Sequence, residues 1–207
     1  MIRNKLAMIR LVSVLVLLTI SFGISQSPAT ASCCNGNYNR AGARYYADLY
    51  WQTPNYSYPY YGNDCTNYVS QVLLYGGVLE KYATGYVNNP KDWFWNGGLH
   101  SHSWSVADKL MRHAYEYLGD RFDRNLTVGT YSSQNLRAGD FIVFDTVGDP
   151  LAGGPTHGRI GVGWLWDPNY GQYFYMMNQH TPNRYHVRWD QFWNPATTAS
   201  WNISVHG

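Results

Sequence analysis

The hydrophobic pattern of this chain changes period just past its midpoint, from helical spacing to short runs bounded by turns. Residues 38–51 carry an apolar stripe built on Ala41, Tyr45, Leu49 and their neighbours, which predicts a first helix. A second helix opens at Asp64 or Cys65, runs through Leu74 and is closed by Gly76-Gly77. Between them, residues 53–61, with Pro54 and Pro59, form an aromatic loop, and residues 80–103 are loop-like and rich in Trp, Gly and His. Val106, Ala107, Leu110, Met111, Ala114, Tyr117 and Leu118 mark a third, amphipathic helix that Gly119 closes. From residue 136 onward the pattern is that of strands. A turn over residues 136–140 enters the run Phe141-Ile142-Val143-Phe144, and two more strands, 159–165 and 172–179, are joined through Asp167-Pro168-Asn169 and Gly171. Residues 185–189 read as another. Helices first and antiparallel strands afterwards define an α+β domain.

The first 31 residues stand apart from that plan. A basic start (Arg3, Lys5, Arg10), an apolar run over residues 11–20 and the small-x-small pattern Ala29-Thr30-Ala31 read as a secretory signal peptide. The apolar run is shorter than the roughly 20 residues that span a bilayer, so no stable membrane insertion is expected. Residues 32–207 then form a single domain of a secreted, extracellular protein. The signal holds three of the 15 Lys+Arg and none of the 13 Asp+Glu, so the formal charge of +2 becomes −1 without it. Such a balance excludes electrostatic binding of nucleic acid as the main activity. Aromatic residues (17%) outnumber charged ones (14%), which permits stacking on sugars or peptides as well as a core with wet polar tips.

Three cysteines are present. Cys33 and Cys34 follow the cleavage site, where a strained disulfide, a lipid anchor or pairing with another chain all remain open. Cys65 stands alone, and a lone cysteine in an oxidising compartment points to a thiol that is used. Its place at a helix start, after Asn63 and Asp64 as N-cap candidates, puts the sulfur beside N–H groups that lack intrahelical partners. That position is expected to lower the thiol pKa and lets the Cys65 N–H help bind an oxyanion.

A nucleophilic thiol needs a base, and the base needs a polar group to hold its tautomer. His157 begins the strand Arg159-Ile160-Gly161-Val162 and His180 ends the next one. If Leu165 faces Gln172 across the hairpin, His157 faces His180 and Arg159 faces Asn178. A slip of one residue would put the two histidines on opposite faces. In this reading Cys65 is the nucleophile, His157 the base and His180 the orienter. Arg159 beside the base would bind a substrate carboxylate or a structural one. His100-Ser101-His102 offers two metal ligands without a third at a recognisable spacing, so no metal and no cofactor is expected. Asp140 is read as organising its turn, and Ser70 as a residue on a helix surface.

Four stretches carry a resemblance to a known family. They are Tyr38-Asn39-Arg40-Ala41 with Tyr45-Tyr46-Ala47; Asp64-Cys65-Thr66-Asn67-Tyr68-Val69-Ser70-Gln71 continuing to Gly76-Gly77; Ser103-Trp104; and Leu136-x-Ala138-Gly139-Asp140 with His157-x-x-Ile160-x-Val162 and Gln179-His180-Thr181. In these the chain resembles the bacterial putative amidase domain family, a branch of the NlpC- and CHAP-like, papain-related cysteine peptidases and amidases. The resemblance implies a papain-like core with the nucleophile helix packed on an antiparallel sheet, Cys65 as nucleophile, His157 as base, and a third polar residue best matched by His180, with Asn178 as the alternative. It implies hydrolysis of an amide bond in a peptide or related amide, peptidoglycan being one such substrate. Gly158-Arg159 departs from the small apolar residues that relatives usually carry after the histidine. Two other readings compete: an inactive binding module in which Trp93, Trp95 and Trp104 hold a glycan or peptide, and an acyl-transferring enzyme of transpeptidase or transglutaminase type.

Overall fold

The computed structural model describes residues 38–114, 136–145, 156–191 and 200–205, and residues 122–126 as backbone. The leader, Cys33, Cys34 and the end of the third expected helix (Tyr117, Leu118, Gly119) lie outside the described residues. Helix α1 spans Arg40–Tyr50 and is capped by Asn39, whose side chain accepts the Gly42 N–H. Its buried face is Ala43, Tyr46 and Ala47, not the expected stripe, since Tyr45 and Leu49 are exposed. The small alanines bring α1 close to the core, and the Tyr46 hydroxyl reaches Gln71 at 2.8 Å.

Helix α2 spans Cys65–Tyr75, and every residue from Cys65 to Leu73 is buried. It is sandwiched between α1, the following helices and the sheet, so its polar residues must find partners inside. Ser70, expected on a surface, is one of these: it accepts the Trp93 indole N–H at 3.1 Å. Asn67 accepts the Trp104 indole N–H at 2.7 Å. The loop-like stretch contains a short hairpin, β1 (Trp95–Asn96) and β2 (Leu99–His100), followed by α3 (His102–Ser105) and α4 (Ala107–Arg112). Extended backbone at Val106 separates α3 from α4, and α4 begins one residue after the start that the periodicity predicts.

The main sheet is antiparallel, with the strand order β3-β8-β4-β5-β6-β7. Its members are β3 (Phe122–Leu126), β4 (Phe141–Phe144), β5 (His157–Asp167), β6 (Gln172–Gln179), β7 (Arg184–Arg188) and β8 (Ser200–Val205). The sequence reading did not anticipate β3 and β8. One sheet face (Phe141, Val143, Ile160, Val162, Met176, Ile203) packs on the helices. The other gathers Leu136, Ile142, Phe144, Tyr175 and Met177. Few helices and an antiparallel sheet make the domain α+β.

The β5–β6 register differs from the expected one. Asp167, not Leu165, faces Gln172, and the pairing shifts again between Gly161 and Gly163, so that Ile160 faces Asn178. Gly163 has φ +106°, which glycine adopts without strain, and a Cβ on Gly161 would collide with the Tyr175 hydroxyl. The two glycines are therefore what permits the irregularity at this point of the strand. Continued outward, this register sets Gly158 against His180 and leaves His157 on the opposite sheet face from His180.

Beside Gly161 in the middle of β5, buried Asp140 joins three elements. It accepts Arg40 Nη1 at 2.8 Å, the Arg137 N–H at 2.7 Å, the Ser204 hydroxyl at 3.1 Å and the Val205 N–H at 2.8 Å. Arg40 also donates to the Ala138 and Val205 carbonyls. One carboxylate thus ties α1, the turn into β4 and β8 together. Asp140→Asn is expected to cost about 3 kcal/mol, the scale for breaking a buried pair from one side, read as a lowered urea midpoint with the slope unchanged.

Candidate active site

Cys65 is the first residue of α2, preceded by Asp64 as N-cap residue. Asp64 does not cap through its side chain to the helix N–H groups. Its carboxylate instead accepts the Tyr61 N–H at 3.1 Å, the Asn67 amide at 2.8 Å and His180 Nδ1 at 2.7 Å. The Asp64 N–H donates to the Thr181 hydroxyl at 3.0 Å. The start of α2 is therefore bolted to the end of β6, and this fixes where the sulfur lies.

The Cys65 thiol is buried and donates to Asn63 Oδ1 at 3.5 Å, with Thr66 Oγ1 at 3.7 Å. The Gly158 N–H at the start of β5 points at the sulfur. Burial pushes the thiol pKa up, and the Gly158 N–H and Thr66 only partly oppose it. The helix-start position thus does not deliver the lowered pKa expected from sequence, because desolvation outweighs the N–H groups. Cys65 is held as a neutral thiol.

His157 lies across the end of the sheet from Cys65, on the face away from the helices, with its ring edge-on to Phe144 at 5.0 Å. Burial, then the neighbouring Arg159, pushes its pKa down to about 4, while Gln179 favours the charged ring. At neutral pH it is an uncharged imidazole, the form a general base needs. Gln179 lies beside the ring, yet neither its Oε1 nor His157 Nε2 has a partner within hydrogen-bond geometry. Both line a cavity of about 380 Å³, together with Asn63, Arg159, Thr181 and Arg184. Asn63 borders the cavity on one side and accepts the thiol on the other. No hydrogen bond joins Cys65 to either His157 or His180.

His180 is not beside His157. Its Nδ1 faces Asp64 at 2.7 Å, its Nε2 faces the Tyr50 carbonyl at 2.7 Å, and its ring stacks on Tyr68 at 4.1 Å. Both ring nitrogens are thus engaged by Asp64 and Tyr50, and neither is turned toward Cys65. Asn178 also faces the helices, donating to the Ala47 carbonyl and Asp48 and accepting the His186 N–H. The residue that shares a face with His157 is Gln179. Its neighbour in sequence drew the attention, and only the β-bulge decides between the two.

Other expected features resolve into structure. Trp93 and Trp104 are buried in the core, with rings 5.1 Å apart, and offer no platform for a glycan. His100 contacts the Tyr61 hydroxyl, His102 is exposed, and among the described residues no group of three His, Cys, Asp or Glu is placed to hold a metal. No helix among the described residues is long and apolar enough to cross a membrane.

Asn63 thus stands between a helix-terminal thiol and a cavity walled by a strand histidine, and comparison with known proteins gives the family. Residues 37–203 match the family described as "Putative amidase domain", and the chain belongs to it. A curated relative, "Uncharacterized protein YhbB" of Bacillus subtilis (strain 168), is 32% identical over 112 residues, which are 54% of this chain and 34% of that protein. The chain thus spans about a third of that relative's length. No solved structure matches.

The buried histidines make stability depend on pH. His113, buried beside Pro90, is also pushed down to about 4. Both rings have an ordinary value of 6.5, so between pH 6.5 and 4 the unfolded chain takes up protons that the native state refuses. Stability is expected to fall as pH drops through this window, by up to about 3 kcal/mol for each ring, and to level off below it. Urea titrations at pH 7, 5.5 and 4 measure the slope, which His157→Gln should reduce.

Proposed function

We propose that the protein is an exported cysteine amidase with a papain-like core, hydrolysing amide bonds in peptides, with cell-wall peptide as the substrate class. The observation that carries this reading is that Asn63 links the Cys65 thiol to a cavity walled by an uncharged, buried imidazole. Membership of the putative amidase domain family supports the reaction type, and the signal-like residues 1–31 support export.

In this mechanism the resting pair is neutral. As the Cys65 sulfur bonds to the scissile carbonyl carbon, its proton passes to His157. The helix-start N–H groups and the Gly158 N–H face the region where negative charge develops on oxygen. His157 then gives the proton to the leaving nitrogen as the C–N bond breaks. Water attacks the thioester with His157 again as base, the C–S bond breaks, and the acid and the free thiol are released. Gln179 takes the place beside the imidazole that the sequence assigned to His180. His180 instead positions Cys65 by holding Asp64.

A module that binds without turnover is favoured by one observation, the buried, protonated thiol. Hydrolysis of cell-wall peptides and small amide substrates separates the two. Cys65→Ala and His157→Ala should each lower kcat/KM by at least about 10⁴-fold, as for other nucleophile–base pairs, while Gln179→Ala should cost about tenfold. Activity persisting in Cys65→Ala sinks the mechanism. Because the thiol is neutral, iodoacetamide should label Cys65 slowly at pH 7 and faster as pH rises.

A further inference from the structure

The wall of the cavity is built by three strands. Gln179 on β6 pairs directly with Arg184 on β7, and the β5–β6 register that sets Ile160 against Asn178 continues to set Arg159 against Gln179. Arg159, Gln179 and Arg184 therefore form one row across the sheet, on the face that carries His157. Directly opposed side chains in such a row have Cβ atoms roughly 5 Å apart, so the two arginines flank a single carboxamide. All three line the cavity. Among the described residues that line it, none is acidic.

The arginines are not placed as solvent-facing charges. Arg159 is almost fully buried, with its guanidinium over the Phe144 ring at 5.0 Å and one amino group donating to the Gln191 carbonyl at 2.8 Å. Those contacts hold the planar group in place, as a preorganised anion site needs. Arg184 is half-buried. Burial and the closeness of Arg184 push the Arg159 pKa down to about 9, which leaves it charged at neutral pH. Two guanidiniums in one cavity wall raise the local positive potential, which favours an anionic ligand. A guanidinium fork fits a carboxylate with two parallel hydrogen bonds. In the same wall Gln179 Oε1, an unpartnered acceptor, suits a peptide N–H next to the carboxylate and not the carboxylate itself.

We propose that this cavity is a carboxylate-binding subsite, with Arg159 and Arg184 as its specificity-determining residues, and that the protein prefers amides carrying a carboxylate next to the scissile bond. This assignment rests on the amidase reading for the word substrate, but the subsite itself does not require turnover. The carboxylate comes either from a peptide C-terminus or from an acidic side chain. The cavity size is that of a small-molecule site and accommodates one or two residues of a peptide.

The test uses the Cys65→Ala protein, so that binding is read without hydrolysis. Calorimetric titration compares N-acetyl-Ala-Ala with its C-terminal amide, and N-acetyl-Glu-Ala-amide with N-acetyl-Gln-Ala-amide. At least one acid is expected to bind tenfold or more tightly than its neutral counterpart, and the pair that shows the difference identifies the source of the carboxylate. Arg184→Gln, at a half-buried position, should erase most of that difference. Arg159→Lys keeps charge in a site where Gln would threaten folding, and should weaken acid binding through loss of the fork, with the thermal midpoint recording whether the fold survives. Equal affinity for acid and amide in both pairs, or a preference unchanged in Arg184→Gln, overturns the proposal. Activity persisting in Cys65→Ala would refute the cysteine mechanism alone and leave an acid preference standing.

Discussion

The buried contact between Asp64 and His180 is the constraint on which the site depends. A carboxyl group and an imidazole ring are taken out of water together, and each is satisfied by further partners: Tyr61 and Asn67 on the Asp64 side, the Tyr50 carbonyl and the Tyr68 ring on the His180 side. A buried pair completed in this way is costly to break from either side. It joins the loop before α2, the end of α1 and the end of β6 at one point, and Cys65 is the next residue. The position of the thiol is thus set by a buried hydrogen-bonded contact. A second buried carboxylate, Asp140, performs the equivalent task where α1 meets β4 and β8.

The second determinant is the irregularity between Gly161 and Gly163. Because side chains alternate with a period of two, one extra residue exchanges the face on which every later side chain lies. It turns His180 and Asn178 toward the helices and Gln179 toward the cavity, where His157, Arg159 and Arg184 already point. The sheet therefore separates two kinds of chemistry. The helix side holds the thiol and the Asp64–His180 contact that supports it. The far side holds the imidazole, the carboxamide and two guanidiniums. The two meet only at the sheet's end, where Asn63 touches both.

Electrostatics follow from that separation. Desolvation raises the Cys65 thiol and lowers the His157 imidazole, so both are neutral at rest. Chemistry from such a pair needs the proton to move as the sulfur attacks, instead of starting from a preformed ion pair. Burial, with a smaller contribution from the two guanidiniums, is what keeps the imidazole uncharged.

What the sequence determined by itself was the local part. Gly76-Gly77 closing α2, the turn before Phe141, the presence of a turn between β5 and β6 and the placement of Cys65 at a helix start are all written in short-range chemistry. Arg159 stood out beside His157 for the same reason. What the tertiary structure decided was orientation. Periodicity located α1, but its buried face was chosen by Ala43, Tyr46 and Ala47 meeting α2. Ser70, Trp93 and Trp104 became core because α2 is covered on every side, which no local pattern records. The register of β5 against β6 depended on one bulge whose only trace is a pair of glycines two residues apart. The thiol's protonation state depended on how deeply the packed helices buried it. Local signals specify which residue types occur and where elements begin. Which of two adjacent side chains faces a cavity is a long-range choice, made when distant strands and helices compete for the same surface.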